Sequence, residues 1–125
     1  MASKPKILIV EDDGQFALLV AGYLRGAGYP AVTAADAMQG FMFAQREQPG
    51  LIVLDINMPA GGGITLLERL VKSVRTQMIP VLVLTARTEQ EIEAQAMAKG
   101  AAGFLRKPID RDSFLAEVGR ILPAT

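Results

Sequence analysis

Six side chains stand where apolar runs of this sequence stop, and together they are the types that phosphoryl transfer needs. Glu11, Asp12 and Asp13 follow Ile7-Leu8-Ile9-Val10, and Asp55 follows Leu51-Ile52-Val53-Leu54. Thr85, with the small Ala86 beside it, follows Val81-Leu82-Val83-Leu84, and Lys107-Pro108 follows the weaker stretch Ala102 to Leu105. Carboxylates gathered in one crevice repel and are costly to hold unless a cation joins them. Oxygen ligands in a chain without histidine or cysteine favour a hard ion, so Mg2+ is the natural cofactor, with Mn2+ as its substitute. One carboxylate could instead be a nucleophile, because aspartyl phosphate is an established covalent form. Such a transfer spreads charge over three equatorial oxygens, which a lysine, a hydroxyl and a metal can neutralise. Each residue alone has a plainer use. A strand-end aspartate caps the next helix, a threonine bonds locally, and a lysine is solvated. The complementary set at four strand ends favours the metal-assisted site.

The composition narrows the class. The chain has 125 residues, half of them apolar, so one domain with a substantial core is expected over 1–125. The absence of cysteine removes disulfides and thiolate chemistry, and the absence of histidine removes imidazole-dependent triads and self-phosphorylation on imidazole. Thirteen basic residues balance 13 acidic ones, which argues against direct nucleic-acid binding. Met1-Ala2-Ser3-Lys4-Pro5-Lys6 runs straight into a four-residue apolar strand, too short for a signal peptide or a membrane span. The expectation is a cytoplasmic protein with no membrane insertion.

The elements that must position these groups are legible from periodicity. The three strong apolar runs are β-branched and do not alternate with polar residues, which marks strands buried on both faces of a parallel sheet. Weaker strands are expected from Pro30 to Thr33 and from Ala102 to Leu105. Between them lie five amphipathic segments. The first begins after Gly14, carries Phe16, Leu19, Val20, Tyr23 and Leu24, and ends at Gly26 or Gly28. A second runs from Asp36 to about Arg46 with Met38, Phe41 and Met42 inward, and a third follows Gly63 with Leu66, Leu67, Leu70, Val71 and Val74. A fourth, about Thr88 to Lys99, turns Ile92 and Ala96 inward, and a fifth begins near Asp110 with Phe114, Val118, Ile121 and Leu122. Five strand–helix repeats with right-handed crossovers give an open α/β sheet whose active crevice lies beyond the carboxyl ends of the strands. A flavin-binding electron carrier of the same topology would want a hydroxyl-rich phosphate loop after the first strand. Three acids occupy that place.

The segments Ile7 to Asp13, Leu54-Asp55-Ile56-Asn57-Met58-Pro59, Leu84-Thr85-Ala86 and Gly100 to Pro108 resemble the response-regulator receiver family along essentially the whole chain. The resemblance implies a flavodoxin-like, doubly wound (βα)5 fold with five parallel strands in the order 2-1-3-4-5 and helices on both faces. It implies that Asp55 is the phosphoacceptor and that Glu11 and Asp12 organise Mg2+, the first through water. Asp13 falls just outside that pair. Asn57 matches the position whose backbone carbonyl ligates the metal, Thr85 the switch hydroxyl, Lys107 the lysine that contacts the phosphoryl group, and Pro108 the family's cis-bonded proline. Phe104 occupies the aromatic switch position, and Ala86 leaves room for donor and water. Gly63 matches a turn glycine; the run Gly61-Gly62-Gly63 departs from relatives, where the middle position is often acidic. Arg87 lies where side chains influence hydrolytic water, and Arg106 is expected to be a solvated charge.

These positions imply a two-component or phosphorelay switch that takes its phosphoryl group from the phosphohistidine of a sensor histidine kinase or a histidine phosphotransfer protein. The domain would catalyse its own phosphorylation and its own reset without turning over a metabolite. The output face would be that of the fourth helix, last strand and fifth helix, engaging a downstream protein target. A single-domain regulator is expected. The alternatives are a receiver excised from a larger DNA-binding regulator and a receiver-like scaffold that is never phosphorylated.

Overall fold

The computed structural model describes residues 4–59 and 62–122. Ten elements alternate along it: β1 (Ile7–Val10), α1 (Gly14–Gly26), β2 (Ala31–Ala34), α2 (Ala37–Glu47), β3 (Leu51–Asp55), α3 (Gly62–Lys72), β4 (Val81–Thr85), α4 (Gln90–Ala98), β5 (Gly103–Arg106) and α5 (Arg111–Ile121). All strand pairs are parallel and the sheet order is β2-β1-β3-β4-β5, the order expected from the sequence. Every residue of β1, β3 and β4 is buried, which explains their unbroken apolar runs. The edge strands β2 and β5 are only partly covered, so their sequences are mixed and their registers harder to read. Each begins one residue later than expected.

Alternation along the strands divides the core in two. Ile7, Ile9, Val53, Leu82 and Leu84 face α1 and α5, meeting Val20, Leu24, Phe114 and Val118. Leu8, Val10, Ile52, Leu54 and Val83 face α2, α3 and α4, meeting Ala44, Leu66, Leu67, Leu70, Ile92 and Ala96. Among the described residues, three helices start on side-chain caps. Asp13 accepts from the amides of Gln15 and Phe16, Asp36 from Gln39 and Asp110 from Ser113. Each cap is worth about 1 kcal/mol.

Several inward assignments are overturned. Leu19, Met38 and Met42 are exposed, and so is Val74, which lies past the end of α3. On α2 the buried face is Gly40 and Ala44. A Cβ at Gly40 would lie 2.9 Å from the Val10 methyls and 3.1 Å from Leu66, so α2 packs too close to β1 for methionine to turn inward. α4 begins at Gln90 with Glu89 as its cap residue, later than the expected Thr88.

Candidate functional site

The carboxyl ends of β1, β3, β4 and β5 converge, and register fixes how. Val10 pairs with Leu54 across β1 and β3, and Asp55 pairs with Leu84 across β3 and β4. Glu11, directly after β1, and Asp55, the last residue of β3, therefore come to rest side by side. Glu11, Asp12 and Asp55 each present a carboxylate oxygen within 4.8 Å of the others. Glu11 and Asp55 are buried and Asp12 is exposed, so the triple opens to solvent on one side. An open groove bordered by Asp12, Gln15, Leu18 and Ala34 runs along that side, between α1 and the end of β2.

Lys107 closes the other side. Its Nζ donates to Glu11 Oε1 at 2.9 Å and lies 3.5 Å from Asp55 Oδ2, with little of the side chain exposed. Its backbone amide donates to the Thr85 carbonyl at 2.7 Å, which anchors the lysine to the end of β4. The Lys107–Pro108 bond is cis, as the resemblance implies. Burial, with a hydrogen bond shared with Asp55, raises the Glu11 carboxyl to about 7; the bonds from Lys107 and the Asp13 amide pull the other way. One ammonium does not fully compensate the buried acids. Three hard oxygen donors with charge to spare fit a small divalent cation of the Mg2+ class.

The remaining residues take distinct places. Asp13 is spent on capping α1 and its amide donates to Glu11 Oε2 at 3.1 Å, so its side chain is not among the clustered oxygens. The Asn57 amide donates to Asp55 Oδ1 at 2.9 Å, holding one carboxylate oxygen in a tight turn, while the Asn57 side chain is exposed. Thr85 is fully buried and its hydroxyl accepts from the Arg87 amide at 3.0 Å. Ala86 is exposed. Phe104, half-buried, packs against the core on the α4 side. Gly63 lies under the β3–α3 turn, where a Cβ would come within 2.5 Å of the Ile56 backbone. Close approach therefore requires glycine there. Of the triple-glycine run, Gly61 lies outside the described residues.

Two arginines meet at the β4–α4 loop, and one of them, Arg106, departs from its sequence reading. The Arg87 guanidinium pairs with Glu89 at 3.2 Å, along its own loop. Arg106 is not free in solvent. It donates to the carbonyls of Arg87 and Glu89 and stacks 5.1 Å from the Phe104 ring centroid, tying β5 to the β4–α4 loop. Phe16, read from periodicity as core, also contributes here. The Lys107 ammonium lies 4.1 Å from its ring centroid. The available signal was an aromatic in the first turn of the helix that follows the acidic pair.

The chain matches the family model described as "Response regulator receiver domain" over residues 7–119. It therefore belongs to the response-regulator receiver family of two-component signalling. It is 40% identical over 121 residues to the DNA-binding dual master transcriptional regulator RpaA of Synechocystis sp., covering 97% of this chain and 50% of that protein. It is 27% identical to Protein PilH of Pseudomonas aeruginosa, covering 94% and 97%. The solved chemotaxis protein CheY4 of Vibrio cholerae superposes with a TM-score of 0.88 at 31% identity, covering 96% and 99%. The chain thus spans half the length of RpaA but nearly all of PilH and CheY4.

Proposed function

We propose that this chain is a phosphoryl-accepting switch with Asp55 as the acceptor. The observation that carries the reading is the convergence of Glu11, Asp12, Asp55 and Lys107 at the strand ends. Glu11, Asp12, Asp55 and the Asn57 carbonyl would hold Mg2+, or Mn2+ in its place, which when bound supplies positive charge against the phosphoryl oxygens. A free oxygen of Asp55 attacks phosphorus, the new O–P bond forms as the N–P bond of a partner's phosphohistidine breaks, and the imidazole leaves with the bonding pair. Lys107 faces Asp55 and neutralises an equatorial oxygen. Asp55 Oδ1 already accepts the Asn57 amide, which leaves Oδ2, the oxygen nearer Lys107, as the nucleophile. Water entering past Ala86 attacks the same phosphorus, restoring carboxylate and releasing inorganic phosphate, with Arg87 near that path. The domain modifies and resets itself.

The modified Asp55 carries added charge and strong acceptors. Thr85, whose hydroxyl among the described residues accepts only from the Arg87 amide, turns to it, and Phe104 follows, altering the α4–β5–α5 face for a downstream protein. The donor is a sensor histidine kinase or histidine phosphotransfer protein meeting the chain at α1, which places the switch in the cytoplasm. Among the described residues, no helix is long and apolar enough to cross a membrane. The half-length match to RpaA supports a second reading of the output, a receiver governing a DNA-binding module.

Incubation with Mg2+ and acetyl phosphate, followed by intact mass, tests the chemistry. Wild type gains one phosphoryl group, Asp55→Asn gains none, and chelation abolishes the gain. An equal gain in Asp55→Asn sinks the assignment.

A further inference from the structure

We infer that Phe16 is a positioning residue whose ring face holds the Lys107 ammonium beside Asp55. Its kinetic consequence rests on the phosphoryl reading above; the contact itself does not. Among the described residues, three groups lie about Nζ: Glu11 Oε1 at 2.9 Å, Asp55 Oδ2 at 3.5 Å and the Phe16 ring centroid at 4.1 Å. The nearest of them, Glu11, also belongs to the acidic triple. A divalent cation taken up there competes with Lys107 for the same carboxylate, so the shortest tether is the one weakened when the site is loaded. Asp55 changes too, because modification converts it from partner to target. The ring alone is unaffected by either event. It carries no charge to surrender, it does not titrate, and its quadrupole attracts the ammonium in every state.

Phe16 is itself firmly placed. Its amide donates to the Asp13 cap at 3.2 Å, fixing the first turn of α1, and its side chain packs on the α1–α5 side of the core. Leucine would keep much of that packing without offering a π face. The contact is largely shielded from water, since only 18% of the Lys107 side chain is exposed. A partly desolvated cation–π contact of this kind corresponds to a rate effect of about tenfold when the ammonium must be held near the reacting atoms. Because Glu11 does the holding in the metal-free protein, the ring's share emerges at saturating cation.

Two measurements on the intact chain decide the matter. The first is NMR of the Lys107 ε-methylene with saturating Mg2+ and no phosphodonor: wild type shows an upfield ring-current displacement that Phe16→Leu abolishes and Phe16→Tyr retains. Its absence from wild type overturns the inference whatever the kinetics. The second incorporates mono-, di- and trifluorophenylalanine at position 16 alone, which drains the ring quadrupole with little change of shape. Labelling by acetyl phosphate at saturating Mg2+ slows stepwise along the series, to about a tenth of wild type in Phe16→Leu. A flat series, with Phe16→Leu slowed only in proportion to lost folding, overturns the positioning role. A wild type that is never labelled defeats the phosphoryl reading, and the ring-current displacement then decides the contact by itself.

Discussion

Glu11→Gln isolates the electrostatics of the acidic triple without any phosphoryl chemistry. Burial lifts the Glu11 carboxyl from its ordinary 4.5 to about 7. Between those values the folded chain holds a proton that the unfolded chain has released, so stability falls as pH rises. The contribution is fully present below about pH 4.5 and is lost as pH rises through about 7. At about 1.4 kcal/mol for each pH unit, the interval amounts to about 3 kcal/mol. Glutamine keeps the shape but cannot ionise, so the variant lacks this slope. Its altered bonds to Lys107 and the Asp13 amide add a constant offset of about 1 to 2 kcal/mol. Glu47, Glu68, Glu89, Asp110 and Glu117 are all held below their ordinary values by hydrogen bonds and cations. Their stabilisation is lost only as pH falls, and it is common to both proteins. Urea unfolding followed by far-UV circular dichroism, with chelator present and pH stepped from about 5 to 8, supplies the measurement. With a urea dependence of about 2 kcal/mol per molar, the wild-type midpoint falls by about 1.5 M relative to the variant. Midpoints that run parallel would refute the claim that Glu11 bears an uncompensated buried charge.

Mg2+ at pH 8 should raise wild-type stability by about 1.4 kcal/mol for every tenfold excess over its dissociation constant, and do so much less in Glu11→Gln; equal gains in urea midpoint would remove Glu11 from the ligand set. Gly63→Ala drives a methyl onto the Ile56 backbone and should cost about 2 to 3 kcal/mol in the same assay, whereas an unchanged midpoint would show that the turn can open. Asp13→Ala removes two capping bonds and should cost about 1 kcal/mol while leaving Mg2+ affinity within a few-fold, as calorimetric titration would report. Phe114→Ala empties a fully buried site between α5 and the sheet and should cost about 3 to 5 kcal/mol by urea unfolding.

What the sequence disclosed follows the physics of burial. β1, β3 and β4 are covered on both faces, so nearly every position must be apolar and the pattern is unmistakable. Glu11, Asp55 and Thr85 stand where those patterns break and Lys107 follows the weaker β5, so their convergence followed from topology. β2 and β5 face solvent in part, and their boundaries moved by a residue. Met38 and Met42 were misread because apolar spacing gives the period of α2 but not its distance from β1, which Gly40 sets. Arg106 was misread, and the second contact of Phe16 beside its place against the core was missed, for a related reason. Their partners, the loop carbonyls and the Lys107 ammonium, lie on other elements, and no local spacing encodes them.

The bond between Lys107 and Glu11 joins residues 96 apart in the chain. Closing so long a loop carries an entropic cost that only a nearly finished sheet repays. During synthesis, β1 and β3 are made well before β5 brings its lysine, so the acids and the ammonium come together only with the last strand. The ion pair thus reports on the whole sheet: it forms only in molecules whose first and last strands have found their places.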